Sequence, residues 1–212
     1  MAKRPESRVA QARKRQIAEV TLQLVAGRGI GGTTTARIAA GADVSEATLY
    51  RYFESRRHML LAALDLIFES IFNIIESSHQ FDVVERLREI SRYHSALISP
   101  EKDGFVYPFF EFVAASPEAD LRESVGTRQR AAIKALAQIV EEGKSQGRIL
   151  EDVDSEQVAW ELVGVYWTED IATLIGLRDF VADGRPVREL ERILSGISIK
   201  PLAMGSENGQ TT

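Results

Sequence analysis

No cysteine occurs among the 212 residues. A disulfide framework and a thiolate zinc site are therefore both excluded. Histidine is almost as scarce. His58, His79 and His94 are the three, and no two stand at metal-ligand spacing. Neither HExxH nor a GxxxxGK[ST] phosphate loop is present, so no metal, no cofactor and no catalytic residue is assigned. Long apolar runs are lacking too. The longest apolar passage, around 158–177, is broken by Glu161, Glu169 and Asp170, short of the roughly 18 apolar residues of a membrane span. The chain starts Met-Ala-Lys-Arg-Pro-Glu, with no apolar signal core. The expectation is a cytoplasmic protein with no membrane partner. Alternating β-branched residues are absent as well. Gly31-Gly32 is the hairpin-like dipeptide, and helical patterns flank it, so no sheet is expected.

What is present is an ordinary globular composition, 44% hydrophobic and 27% charged, with its charge unevenly placed. Residues 1–60 hold 11 Lys/Arg against 5 Asp/Glu, while 61–212 hold 15 against 26. The net charge of −5 thus conceals a basic first quarter. Such an end suits a polyanion.

The periodicity predicts an all-α chain of about nine helices. Ile17, Val20, Thr21, Leu24 and Val25 share one face of a first helix, roughly Val9 to Arg28, and Gly29 is placed to end it in the left-handed conformation. Thr33-Thr34 can cap a short second helix ending near Ala40. Gly41-Ala42-Asp43 makes a turn, Ser45 caps a third helix over 46–52, and Ser55 caps a long fourth one to about Ser77. Asp82-Val-Val-Glu85 has the capping-box pattern. Ser99-Pro100 and Ser116-Pro117 place proline just after a cap. Asp154 opens another helix and Arg185-Pro186 the last, and the tail from Met204 is expected to be disordered. The expected division is a DNA-binding domain with a basic arm over 1–54, a helical domain over 55–203 and a tail over 204–212.

Residues 33–53, TTTARIAAGADVSEATLYRYF, place two short helices around a tight turn. Ile38, Val44 and Leu49 can pin the pair from inside. Ser45, Glu46, Ala47, Thr48, Tyr50, Arg51 and Tyr52 are left to face outward. A major-groove reader needs this layout: small polar residues at the helix start meet base edges, and hydroxyl, phenol and guanidinium groups hold phosphates. The basic arm, with Lys3, Arg4, Arg8, Arg13, Lys14 and Arg15, can reach the backbone or a minor groove.

The stretch from Arg15 to Leu64 resembles the N-terminal domain of tetracycline-repressor (TetR) family regulators. The resemblance rests on Arg28-Gly29, Thr33-Thr34, Ile38-Ala39, Val44-Ser45, Thr48-Leu49-Tyr50 with Phe53, and Ser55-Arg56. It implies phosphate contacts at Thr34, Tyr50, Tyr52 and Arg56, and base-facing positions at Thr35, Glu46, Ala47 and Thr48; Thr33 belongs to the same candidate surface. Two departures stand out. Asp43 occupies the usual turn glycine, which aspartate tolerates. Glu46 replaces a common lysine or polar residue, and its carboxylate can accept from cytosine N4.

The resemblance further implies a homodimer on a palindromic operator, with recognition helices about 34 Å apart, released as a repressor by a small-molecule effector. Dimerisation would use the last two long helices, about 155–177 and 186–199, through Val158, Leu162, Val165, Leu190, Ile193, Leu194 and Ile197. An effector cavity is expected from His94, Phe105, Tyr107, Phe109, Phe110, Glu111, Trp160, Tyr166, Trp167 and Asp170, with Pro108 kinking its helix. Two other functions remain open on the residues alone, a helical protein-interaction adaptor and a small-molecule enzyme on a helical scaffold.

Overall fold

The computed structural model describes residues 7–98, 106–115 and 120–199. Lys3, Arg4, Phe105, the two Ser-Pro starts and the tail lie outside them. The described residues form ten α-helices and one 3-10 turn. They hold no strand beyond a single bridge between Ile149 and Ser198, which ties the end of the last helix to the chain after Gly147.

The first four helices are α1 (Arg8–Gly32), α2 (Thr35–Gly41), α3 (Glu46–Tyr52) and α4 (Arg56–Ser77). Three of their starts follow from hydroxyl caps: Thr34 accepts from Arg37 N, Ser45 from Thr48 N and Ser55 from His58 N. Asp43 takes the left-handed turn at φ 51°. Gly29 breaks α1 at a kink, where the sequence places the end of the first helix. It takes φ 67°, ψ 171°, and one further turn follows to Gly32. That conformation lies outside the left-handed helical well and is essentially reserved for glycine.

The remaining helices are α5 (Val83–Leu97), α6 (Val106–Val113), α7 (Leu121–Ser145), α8 (Ser155–Leu174), α9 (Arg178–Ala182) and α10 (Arg185–Ile197). Asp82 and Asp154 cap α5 and α8 through two backbone amides each. Glu85 does not complete the capping box; its carboxylate pairs with Arg88 and Arg92 instead. Pro108 lies in the first turn of α6 and leaves 106–113 continuous, because a first-turn residue has no intrahelical N–H bond to lose. The short α9 separates α8 from α10 where the sequence suggests one helix to 177.

Three apolar clusters organise the molecule. Ile17, Ile38, Ala39, Ala42, Leu49, Phe53 and Met59 close the N-terminal unit. Leu22 and Val25 of α1 meet Leu60, Leu64 and Phe68 of α4 and Phe109 and Phe112 of α6 in the second. The third joins α5, α7, α8 and α10 around Leu87, Val140, Leu162 and Leu194. Helix α4 enters all three. Its most apolar stretch reaches mean hydropathy 1.7, enough by length and composition to span a bilayer, and the fold uses that surface as a spine. Met59 reaching into the first cluster shows that the N-terminal core takes in the first turn of α4, beyond residue 54.

Candidate nucleic-acid interface and effector cavity

Helices α2 and α3 are held at the turn by Val44 N donating to Ala39 O at 3.0 Å, and by Ile38, Ala39, Ala42 and Leu49 buried between them and α1. The outer face of α3 is left to solvent. Glu46, Ala47 and Arg51 are exposed, Tyr50 is about half exposed, and Thr34 is exposed at the start of α2. Thr35 and Thr48 are partly covered. The Ser45 and Thr48 hydroxyls lie 2.9 Å apart, and Ser45 Oγ also accepts Thr48 N, so both line the start of α3. Tyr52 is half-buried against the first cluster.

Two of the sequence-derived contact residues are placed elsewhere. Thr33 is fully buried and its hydroxyl donates to Gly29 O at 2.8 Å, so it serves the end of α1. Arg56 is half-buried. It donates from Nε to Thr33 O at 2.5 Å and from Nη2 to Ile30 O. A guanidinium fits there because the last carbonyls of a helix lack intrahelical donors and carry the negative end of its dipole. Arg37, which the sequence reading passed over, donates to Gly32 O at 2.7 Å from the exposed first turn of α2. In the arm, Arg15 is tied to Glu69 of α4 by two contacts of 2.9 Å.

The end of α1 has one more partner. Ile30 N donates to Glu111 of α6 at 3.0 Å. Glu111 is therefore a structural acceptor at the α1 kink, not a cavity residue. The other face of α6 carries Val106 and Phe109 into a cavity of about 100 Å³ among α4, α5, α7 and α8. His94, Phe109, Tyr166, Trp167 and Asp170 come together there. Tyr107 and Trp160 point to solvent, 49% and 55% exposed, and Phe110 packs with the second cluster. Most of the lining escaped the sequence reading: Ile67, Ile71, Ile74 and Ile75 of α4, Tyr93, Leu97 and Ile98 around α5, and Gln129 of α7. Their signal was the width of the apolar face on α4, which exceeds what one core needs.

The polar groups of the cavity form a chain. Tyr166, buried, stacks on His94 with centroids 4.7 Å apart and shares a 2.7 Å hydrogen bond with Ser91. Burial pushes its phenol up to about 12. His94 Nε2 lies 3.2 Å from Asp170 Oδ1. Burial opposes charge on the imidazole, but Asp170 and then Glu169 outweigh it and hold the pKa above its ordinary value. Burial raises Glu169 as well, although Ser95 donates to it at 3.0 Å. For both groups the folded pKa exceeds the unfolded one. Each contribution to stability is thus complete below the unfolded pKa and lost as pH rises through the folded value. Thermal midpoints are expected to fall between pH 5 and pH 8, and His94→Gln should flatten the upper part of that slope. An unchanged slope in the variant would remove His94 from the account.

The intended dimer residues also need redistribution. Val158, Leu162, Leu190, Ile193, Leu194 and Ile197 are buried in the third cluster, and Val165 is half-buried against it. They face inward because α8 packs on α7 and α5, and α10 on α8 and α5. The apolar residues left outside are Trp160, Ile171 and Leu174 on α8, Ile175 at its C-cap, Leu177 and Phe180 about α9, and Val187 on α10.

Two glycine patterns have enzyme-like spacing. Gly27-Arg-Gly29-Ile-Gly-Gly32 has the GxGxxG spacing, but it ends a helix instead of following a strand. Gly143-Lys-Ser145-Gln-Gly147 has the GxSxG spacing, but it closes α7, and Ser145 donates to Glu142 O. Neither has the strand-turn-helix context its chemistry requires. Among the described residues no group of three or more His, Asp or Glu is placed to hold a metal ion.

Residues 17–63 match the family described as bacterial regulatory proteins, tetR family. The chain is 33% identical over 99 residues to the HTH-type transcriptional regulator LuxR of Vibrio harveyi, covering 46% of this chain and 48% of that protein. It spans about half, or less, of the length of the curated relatives it matches. The fold is similar to that of a transcriptional regulator from Saccharomonospora viridis in complex with choline, with TM-score 0.72, 23% identity, and coverage of 90% of this chain and 100% of that one. It is similar also to the transcriptional regulator FadR from Bacillus subtilis in complex with stearoyl-CoA, with TM-score 0.67, 24% identity, and coverage of 86% and 98%.

Proposed function

Because the chain belongs to the tetR family of bacterial regulatory proteins, we propose that it is a ligand-responsive, DNA-binding transcriptional regulator, a homodimeric repressor released from a palindromic operator by a small molecule. The observation that carries this reading is a rigidly packed α2–α3 pair whose outer face, Thr34, Glu46, Ala47, Tyr50 and Arg51, is polar and open. The basic balance of residues 1–60 favours the same polyanion. An interior cavity on a helix that also holds the end of α1 supplies a place for the ligand and a path for its effect. Structural neighbours with choline and stearoyl-CoA bound agree with a ligand in this fold. The reading implies a non-enzymatic protein acting on cytoplasmic DNA.

The test is genomic duplex selection with the purified chain, followed by affinity against salt. A palindromic site whose log affinity falls steeply with log salt is the expected result. No enriched site at low salt, with and without candidate ligands, would overturn the proposal in favour of a protein-binding adaptor.

The second copy is proposed to cover the outer stripe of α8 with Phe180 and Val187. A contiguous apolar face of this kind otherwise costs solubility. Sedimentation equilibrium should return twice the chain mass, and a monomer at micromolar concentration would sink the dimer.

Glu46 is proposed to accept a hydrogen bond from a cytosine amino group. On that basis Glu46→Gln should reduce discrimination at one base pair per half-site, by about 1 kcal/mol or more, without altering the salt slope. Unchanged preference across a base-substitution panel would remove the assignment.

A further inference from the structure

Helix α5 is held in two different ways along its length. Its first half carries Val83, Val84, Leu87 and Ile90 into the third cluster. Beyond Ile90 it meets α8 through polar groups. Ser91 shares its 2.7 Å hydrogen bond with Tyr166, His94 lies 3.2 Å from Asp170, and Ser95 donates to Glu169 at 3.0 Å. This second half, through Tyr93, His94, Leu97 and Ile98, is also one wall of the cavity. The wall is thus fastened to α8 by a seam whose titrating groups include His94, Asp170 and Glu169. At about 100 Å³ the closed cavity is smaller than the dry one of about 150 Å³ that holds benzene. A ring-sized ligand can enter only if a wall moves.

The charge on the seam changes in one direction. A protonated His94 offsets Asp170. Loss of that proton leaves Asp170 and Glu169 as adjacent buried acids, and each proton lost from Glu169 adds to the imbalance. Rising pH therefore makes a buried seam steadily more negative, which is costly. The surrounding elements do not cancel it. Helix α4 presents isoleucines, α6 Val106 and Phe109, α7 the neutral Gln129, and α5 and α8 the phenols of Tyr93 and Tyr166. Arg88 and Arg92 of α5 are held by Glu85, Glu89 and Glu191. On the α10 side, Arg185 and Arg188 pair with Asp183, and Arg192 with Glu189, while Glu161 is a further acid.

We propose that residues 91–98 form a pH-operated latch on the cavity, closed while the seam keeps its protons and lifting from α8 as they leave. The inference deepens the ligand-responsive reading by naming what governs entry. Local opening of this kind is cheapest where apolar contacts are few, as they are past Ile90. The test uses the full chain without DNA or ligand, so failure of the latch and failure of duplex binding are separate results.

Hydrogen exchange would compare the amides of 92–97 with those of 137–141 in α7, which share the third cluster but not the seam. The comparison cancels the intrinsic rise of exchange with pH. Between pH 6 and pH 9, protection of 92–97 should fall at least about tenfold relative to 137–141, the factor that one pKa unit carries. With His94→Gln and Glu169→Gln together, neither side chain titrates, and the ratio should change by less than about twofold. After Trp160→Phe, Trp167 is the single tryptophan, and it lines the cavity. Its quenching by neutral acrylamide should at least about double over the same range. A fall shared equally by 137–141 would mean global loss of stability. That result, a flat ratio, an undiminished fall in the double variant or unchanged quenching would each overturn the latch. The comparison within the unaltered chain stands even if the double variant does not fold.

Discussion

Gly29→Ala is expected to destabilise the chain by about 3 kcal/mol and to weaken duplex binding. The residue sits at φ 67°, ψ 171°, a region where a side chain costs about 1–3 kcal/mol. An added methyl would also stand 2.8 Å from Glu111 Oε2, the oxygen that accepts Ile30 N–H. Relief of that clash requires moving the carboxylate, and a charge-assisted hydrogen bond is worth about 1.5–3 kcal/mol. For a chain of this size the thermal midpoint should drop by roughly 10 °C. Differential scanning calorimetry reads the effect directly. A midpoint within 2–3 °C of the original, on the same scaling, would show that the kink relaxes freely. Glu111→Ala offers the complementary reading. It keeps the kink and the apolar packing but removes the hydrogen bond from α6 to the end of α1, so bound ligand should lose part of its effect on duplex affinity.

Phe112→Ala is expected to cost about 3–5 kcal/mol, the range for emptying a large aromatic site. Phe112 is fully buried, and its cluster joins α1, α4, α6 and α7. The substitution removes a contact shared by the helix that carries the N-terminal unit and the helix that borders the cavity. Chemical denaturation should show a lower midpoint with little change of slope. A loss below about 1 kcal/mol would mean that the surrounding helices collapse onto the vacancy. Both substitutions bear on the same short element. Helix α6 has one face on the cavity through Val106 and Phe109 and the other on α1 through Glu111 and Phe112. Any ligand that repositions α6 must therefore act on the end of α1. Arg56, at the start of α4, donates to two carbonyls of that end, so the contacts run from α6 through the end of α1 to α4.

Much of the local architecture was legible before any coordinates. Thr34, Ser45, Ser55, Asp82 and Asp154 cap the helices their positions suggest, since a cap depends on a side chain and amides two or three residues away. The span of α3, Glu46–Tyr52, and the left-handed turn at Asp43 are equally local. The break into α9 was not visible, because residues 155–177 keep apolar positions on several faces and no proline falls between α8 and α9.

The candidate sites divide along the same line. The polar face of α3 could be read from spacing, because Leu49 and Ile38 fix which side turns inward. Arg56 could not, since nothing near it in sequence reveals that the end of α1, more than twenty residues away, needs its donors. Glu111 is the same case at greater separation. It belongs to an aromatic-rich helix and so looks like a cavity residue, until Gly29 exposes an amide beside it.

The sequence by itself determined the helical class, the caps, the turn and the polar outer face of α3, all set by interactions within about one helical turn. Only the tertiary structure decided which face of α8 and α10 is spent inside the subunit, which isoleucines of α4 border a cavity, and that His94 meets Asp170. Those outcomes depend on how helices far apart in sequence share a limited apolar surface. An amphipathic pattern says that a face must be buried, but not against which partner.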